Sequence, residues 1–131
     1  MDLHRLVYVS SAKAPFSPSD LEALLAQSRA KNKEVGVTGA LVHCDGNFMQ
    51  LLEGPKAAVL ETFARIKRSG RHGNVMEMMN EPVGQREFAE WTMAFSPTSA
   101  SDLLKLSQAS WSAQADSSGM ELLRGFWTGS R

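Results

Sequence analysis

The 131-residue chain has no formal net charge at neutral pH and is 43% hydrophobic and 21% charged, the composition of one compact folded domain with an appended segment. It shows no basic stripe for nucleic acid, no apolar run near the roughly 20 residues of a membrane span, and no apolar stretch at its N-terminus that would read as a signal peptide. Cys44 is the only cysteine, so no intrachain disulfide forms, which fits a reducing cytoplasm; zero net charge leaves little repulsion against a homo-oligomer.

Leu3 to Ser10 reads as a strand, with Leu6, Tyr8 and Ser10 on one face and Val7 and Val9 on the other. A Ser- and Pro-containing loop follows. Ser17-Pro18 then opens a helix whose stripe is Leu21, Leu24, Leu25 and Ser28. That helix is expected to end near Asn32, because Lys33 to Gly36 lose the period. Val37 to Cys44 is a second strand, Asp45-Gly46-Asn47 a hairpin turn, and Phe48 to Glu53 a third strand. Gly54-Pro55 opens a second helix with Val59, Leu60, Phe63 and Ile66 buried. After a Gly-rich connector, Val75 to Met79 reads as a fourth strand. Glu90 to Phe95 reads as a fifth, with Trp91, Met93 and Phe95 on one face.

This order predicts an α+β fold: a ferredoxin-like βαββαβ pattern with one added strand, giving a five-stranded mixed sheet with two helices on one face. Residues 1–96 form that domain and 97–131 a C-terminal helical segment. The third strand is apolar on both faces, so the second face needs a cover. Leu103, Leu104, Leu106 and Trp111, then Met120, Leu122, Leu123, Phe126 and Trp127, read as two short helices that could supply it. A contact between copies of the chain is the other candidate.

Gln50 is the most unusual residue. A buried amide needs partners, and leaving them unmet costs about 1–3 kcal/mol. On the residues alone, Gln50 reads first as a satisfied core amide and Tyr8 more clearly so as a core tyrosine. Asn32 reads as a helix cap, Met93 as core, Lys31 and Arg65 as solvated helix surface, and His72 as an exposed loop residue. The three histidines and Cys44 lack metal-ligand spacing, and no nucleotide loop, nucleophile elbow or paired carboxylates appear, so neither an enzyme nor a metal site is expected. An acylphosphatase-like hydrolase would need a phosphate-cradling loop that Ser10 to Pro18 does not provide. A ferredoxin-like metabolite-binding module stays open.

In order along the chain stand Leu6-Val7-Tyr8-Val9-Ser10-Ser11-Ala12, Asn32, Gly36-Val37-Thr38-Gly39-Ala40-Leu41, Gly46-Asn47-Phe48-Met49-Gln50-Leu51-Leu52-Glu53-Gly54, Arg71-His72 and Phe88-Ala89-Glu90-Trp91-Thr92-Met93-Ala94-Phe95. This set resembles the BLUF domains, blue-light sensors using FAD. The resemblance implies a non-covalent flavin, FAD or alternatively FMN or riboflavin, held between the two helices. It implies Leu24 and Ile66 against the ring faces and Asn32 at the polar edge. Phe48, Arg65, Arg71 and His72 would lie near the ring, with Ser28 within reach of the glutamine. Tyr8, Gln50, Met93 and Trp91 would be the photoactive set. Light would drive an electron and then a proton from Tyr8, and recombination would leave Gln50 rotated or tautomerised and the spectrum red-shifted. The signal would pass to a separate effector protein. Ser69-Gly70 departs from the aspartate and proline of many relatives.

Overall fold

The computed structural model describes residues 2–12, 17–69, 72–112 and 117–128. The elements are β1 (Leu3–Ala12), α1 (Pro18–Val35), β2 (Thr38–Cys44), β3 (Asn47–Pro55), α2 (Lys56–Arg68), β4 (His72–Pro82), β5 (Ala94–Pro97), α3 (Ala100–Gln108) and α4 (Ser118–Thr128). All five strands join one sheet in the order β4-β1-β3-β2-β5. The first four are antiparallel to their neighbours, and β5 runs parallel to β2. Each helix crosses over one intervening strand, so both crossovers return on the same side of the sheet. This is the expected ferredoxin-like α+β architecture.

Local signals explain the element ends. Ser17 caps α1: its hydroxyl accepts from the Asp20 N–H at 3.1 Å, and the Asp20 carboxylate accepts from the Ser17 N–H at 3.0 Å. The helix runs past Asn32 to Val35. It stops where Gly36 takes a left-handed φ of 76°, and the Gly36 N–H returns to the Asn32 carbonyl. Gly39 is required by space, because a Cβ there would sit 1.9 Å from the Leu51 carbonyl oxygen. At the β2–β3 turn, Asp45 and Gly46 both have positive φ. The His43 Nε2 accepts from the Gly46 N–H at 2.9 Å and clips that turn.

The sheet carries a core on each face. On one face Leu6, Tyr8, Leu41, Phe48, Leu52 and Met93 pack with Leu25 of α1 and Val59 and Phe63 of α2. On the other, Val7, Val42, Met49, Leu51 and Met79 pack with Leu103 and Leu106 of α3 and Met120 and Leu123 of α4. The doubly apolar third strand is thus explained by the chain's own C-terminal helices. Leu104 and Leu122 depart from the expected stripe and are exposed. Each lies one position off the i, i+3 line that faces the sheet. The side chain of Trp127 lies outside the described residues.

Residues 83–93 differ most from expectation. The fifth strand does not start at Glu90; it starts at Ala94. Side chains from elsewhere claim the backbone groups a ladder would have used. The Glu53 carboxylate, fully buried on β3, accepts from the Glu87 and Phe88 N–H groups at 2.9 Å and from the Arg5 Nε at 2.8 Å. The Trp91 N–H turns back to the Phe88 carbonyl at 3.1 Å. Glu53 therefore shapes this segment from beneath the sheet. Removing the carboxylate leaves the Arg5 charge without its counter-ion and two amides without their acceptor, so Glu53→Ala should lose about 3–5 kcal/mol of unfolding free energy in a urea titration. A change under about 1 kcal/mol would contradict this role.

Candidate functional site

Tyr8 and Gln50 are directly opposed in the β1–β3 ladder. Opposed residues project from the same face with adjacent Cβ atoms. The register alone therefore brings phenol and carboxamide together. The Tyr8 hydroxyl donates to Gln50 Oε1, and Gln50 Nε2 donates to the Met93 thioether at 3.4 Å. Both ends of the amide are occupied, and its orientation is thereby defined. The Tyr8 ring packs on Phe63 of α2 at 5.2 Å between centroids. Burial pushes the Tyr8 phenol well above the usual tyrosine range, so it stays protonated at any physiological pH.

Gln50 also lines a cavity of about 440 Å³ between α1 and α2. Leu24, Gln27, Ser28, Lys31 and Asn32 come from α1, Thr62, Arg65 and Ile66 from α2, and Ser69 from just beyond it. That volume falls in the range of small-molecule sites. The lining combines two aliphatic side chains with amides, hydroxyls and two cations. A flat heteroaromatic ring with a hydrogen-bonding edge and an anionic tail fits this donor set. Asn32 is buried, and its Nδ2 donates to the Thr92 carbonyl at 2.8 Å. One N–H and the amide oxygen of Asn32 remain for a ligand.

Six of the expected site residues, Leu24, Ser28, Asn32, Gln50, Arg65 and Ile66, meet around this cavity. Tyr8 and Met93 stand behind Gln50, and Phe48 is buried in the same core. Arg71 and the side chain of His72 lie outside the described residues. Trp91 is not on the expected strand, and it is 43% exposed while Met93 is 1% exposed. The expected alternation holds for Met93, Ala94 and Phe95 and fails upstream, where the Gly39 N–H holds the Trp91 carbonyl at 3.0 Å. Lys31 also lines the cavity, while its side chain stays 43% exposed and pairs with Glu34. Gln27, Thr62 and Ser69 gave no signal in the sequence, because polar residues near a helix face look the same whether they meet a ligand or water.

The family described as sensors of blue-light using FAD matches residues 3–94. The chain belongs to the BLUF family. Among curated relatives, a photoactivated adenylate cyclase subunit beta of Euglena gracilis is 38% identical over 92 residues, which is 70% of this chain and 11% of the relative. The chain thus spans about a tenth of the length of that relative. Among solved structures, BlrB, a BLUF protein in its dark state, aligns with a TM-score of 0.70 at 30% identity over 73% of each chain. BlrP1 of Klebsiella pneumoniae aligns at 0.72 and 27% identity, over 98% of this chain and 34% of that one. This BLUF domain is therefore a flavin-binding blue-light sensor with the family's five-stranded sheet.

The burial of Met93 against the exposure of Trp91 has a direct consequence. Met93→Ala should destabilise the fold by about 2–5 kcal/mol, and Trp91→Ala by less than about 1 kcal/mol, in matched denaturant titrations. The reverse ranking would mean that tryptophan, not methionine, fills the site behind Gln50.

Proposed function

We propose that Tyr8 and Gln50 form the photoactive centre of this BLUF domain, with the isoalloxazine ring seated in the cavity between α1 and α2. The observation that carries this reading is the amide of Gln50, which joins the Tyr8 hydroxyl on one side and lines the cavity on the other. Leu24 and Ile66 would cover the ring faces, and their burial would contribute roughly 25 cal/mol per Å² of apolar contact. Asn32 would pair with the polar edge, and Arg65 and Ser28 would complete the rim. Lys31 and Arg65 at one cavity support a phosphate-bearing flavin, FAD or FMN, over riboflavin.

When bound, the flavin supplies blue-light absorption and a one-electron oxidant. Tyr8 is the electron donor. Its hydroxyl becomes a strong acid once oxidised, and the Gln50 oxygen that already accepts its hydrogen bond receives the proton. When electron and proton return to Tyr8, the carboxamide of Gln50 can settle rotated or as its tautomer. Either form changes which group it presents to the cavity, because a carboxamide offers donor or acceptor from nearly the same position. Met93 contacts the same amide and would feel that change first. Tyr8→Phe and Gln50→Leu should each keep the yellow flavin and lose the normal light-induced red shift in the absorption spectrum. Unaltered shifts in both variants would reject the assignment.

Residues 1–96 would then act as the sensor and 97–131 as the element that reports its state to an effector, whether a separate protein or another domain. Glu87 and Arg124 offer the link. The Arg124 Nε donates to the Glu87 carboxylate and Nη2 donates to it at 3.2 Å, tying α4 to the segment that ends in Met93. That hydrogen bond holds the Glu87 carboxyl below its usual range, so the pair persists above about pH 4.5 and is lost as pH falls through the lowered value. Arg124→Gln should retain the spectral shift and abolish the light–dark difference in amide hydrogen exchange over residues 118–126. An undiminished difference would exclude this ion pair from the output path.

A further inference from the structure

We propose that Arg29 is a positioning residue for the photocycle: it holds the backbone of Met93 so that the thioether fixes the dark orientation of the Gln50 amide. The inference rests on the assignment of Gln50 as the switching group.

Three successive carbonyls, those of Trp91, Thr92 and Met93, are each held by a donor from a different residue. The Gly39 N–H of β2 donates to the first at 3.0 Å, the Asn32 Nδ2 of α1 to the second at 2.8 Å, and the Arg29 Nε of α1 to the third at 3.1 Å. Arg29 and Asn32 stand at i and i+3, so one helix face carries both side-chain donors. This segment has no ladder of its own before Ala94. Its placement is therefore set by these bonds and by the hold of Glu53 on Glu87 and Phe88 upstream.

Met93 presents its sulfur to Gln50 Nε2 at 3.4 Å. A thioether accepts but cannot donate, so it favours the amide nitrogen on its side and leaves Oε1 to the Tyr8 hydroxyl. If the amide turns, its oxygen faces the sulfur lone pairs and that preference is lost. Met93 thus discriminates between the two orientations only while its backbone is held. Of the two side-chain donors on α1, Asn32 lines the ligand cavity and Arg29 does not. Arg29 can therefore act on Gln50 through Met93 without touching the flavin. The Arg29 side chain lies at an exposed helix position, so replacing it spares the core.

The test compares flavin-loaded wild type, Arg29→Ala, Arg29→Gln and Arg29→Lys in the full chain. The readouts are flavin content, the amplitude of the light-induced shift, and the rate of thermal return in darkness. A hydrogen bond from a charged donor is a strong restraint, so Arg29→Ala and Arg29→Gln should bind flavin normally and return to the dark state more slowly by about threefold or more. Arg29→Lys, which keeps a cationic donor, should recover part of that rate. Return rates in Arg29→Ala and Arg29→Gln indistinguishable from wild type would overturn the inference. So would loss of flavin in those variants, which would place Arg29 in the binding wall. A wild-type protein that binds no flavin or shows no shift would instead refute the assignment of Gln50, an outcome separable from either of these.

Discussion

One cross-strand pair organises the molecule. Tyr8 and Gln50 are opposed because β1 and β3 are central, adjacent and antiparallel, and the register of that ladder sets them face to face. A one-residue slip of either strand would turn that strand's side chain to the face that α3 and α4 cover and so separate the pair. Apolar neighbours on both sides of the sheet make such a slip expensive. The hydrogen bond of the pair is thus protected by the entire two-sided core, although the bond itself is a local polar contact.

That arrangement divides the work between two layers. The α1–α2 side provides a cavity and a buried, polarisable hydrogen-bond chain from Tyr8 through Gln50 to Met93. The opposite side provides two short amphipathic helices, seated by a few leucines and methionines and by the Glu87–Arg124 ion pair. Residues 83–93 join the two layers, with Phe88 in the core under α3 and α4 and Met93 in the core under α1 and α2. This segment touches the Gln50 amide through Met93 at one end and Arg124 of α4 through Glu87 near its middle. Glu53 fixes its middle from within the core. A buried ion pair is a weak source of net stability but a strong source of geometry, which suits this use.

Much of this was legible in the sequence. Period-two alternation put Tyr8 on one strand face with Leu6 and Ser10, the BLUF-like segments linked it to Gln50, and the doubly apolar third strand called for a second cover that the C-terminal helices supply. The ordered BLUF-like segments pointed to the cavity wall of Leu24, Ser28, Asn32, Arg65 and Ile66. Trp91 was misplaced because alternation describes backbone that bonds to a neighbouring strand. From Glu87 to Thr92 the amides and carbonyls are instead taken by Glu53, Asn32 and Gly39, residues distant in sequence. Nothing in the sequence marks Lys31 as a cavity residue, because α1 has a weak apolar stripe, with only Leu25 and Asn32 buried, so its polar positions carry no label for cavity or solvent.

Crystallography of the flavin-loaded protein in the dark tests the central claim most directly. The account predicts the ring between Leu24 and Ile66 with a polar edge atom within about 3.2 Å of the Gln50 amide, while that amide keeps its bond to the Tyr8 hydroxyl. A flavin bound elsewhere, or with its edge turned away from Gln50, would contradict it.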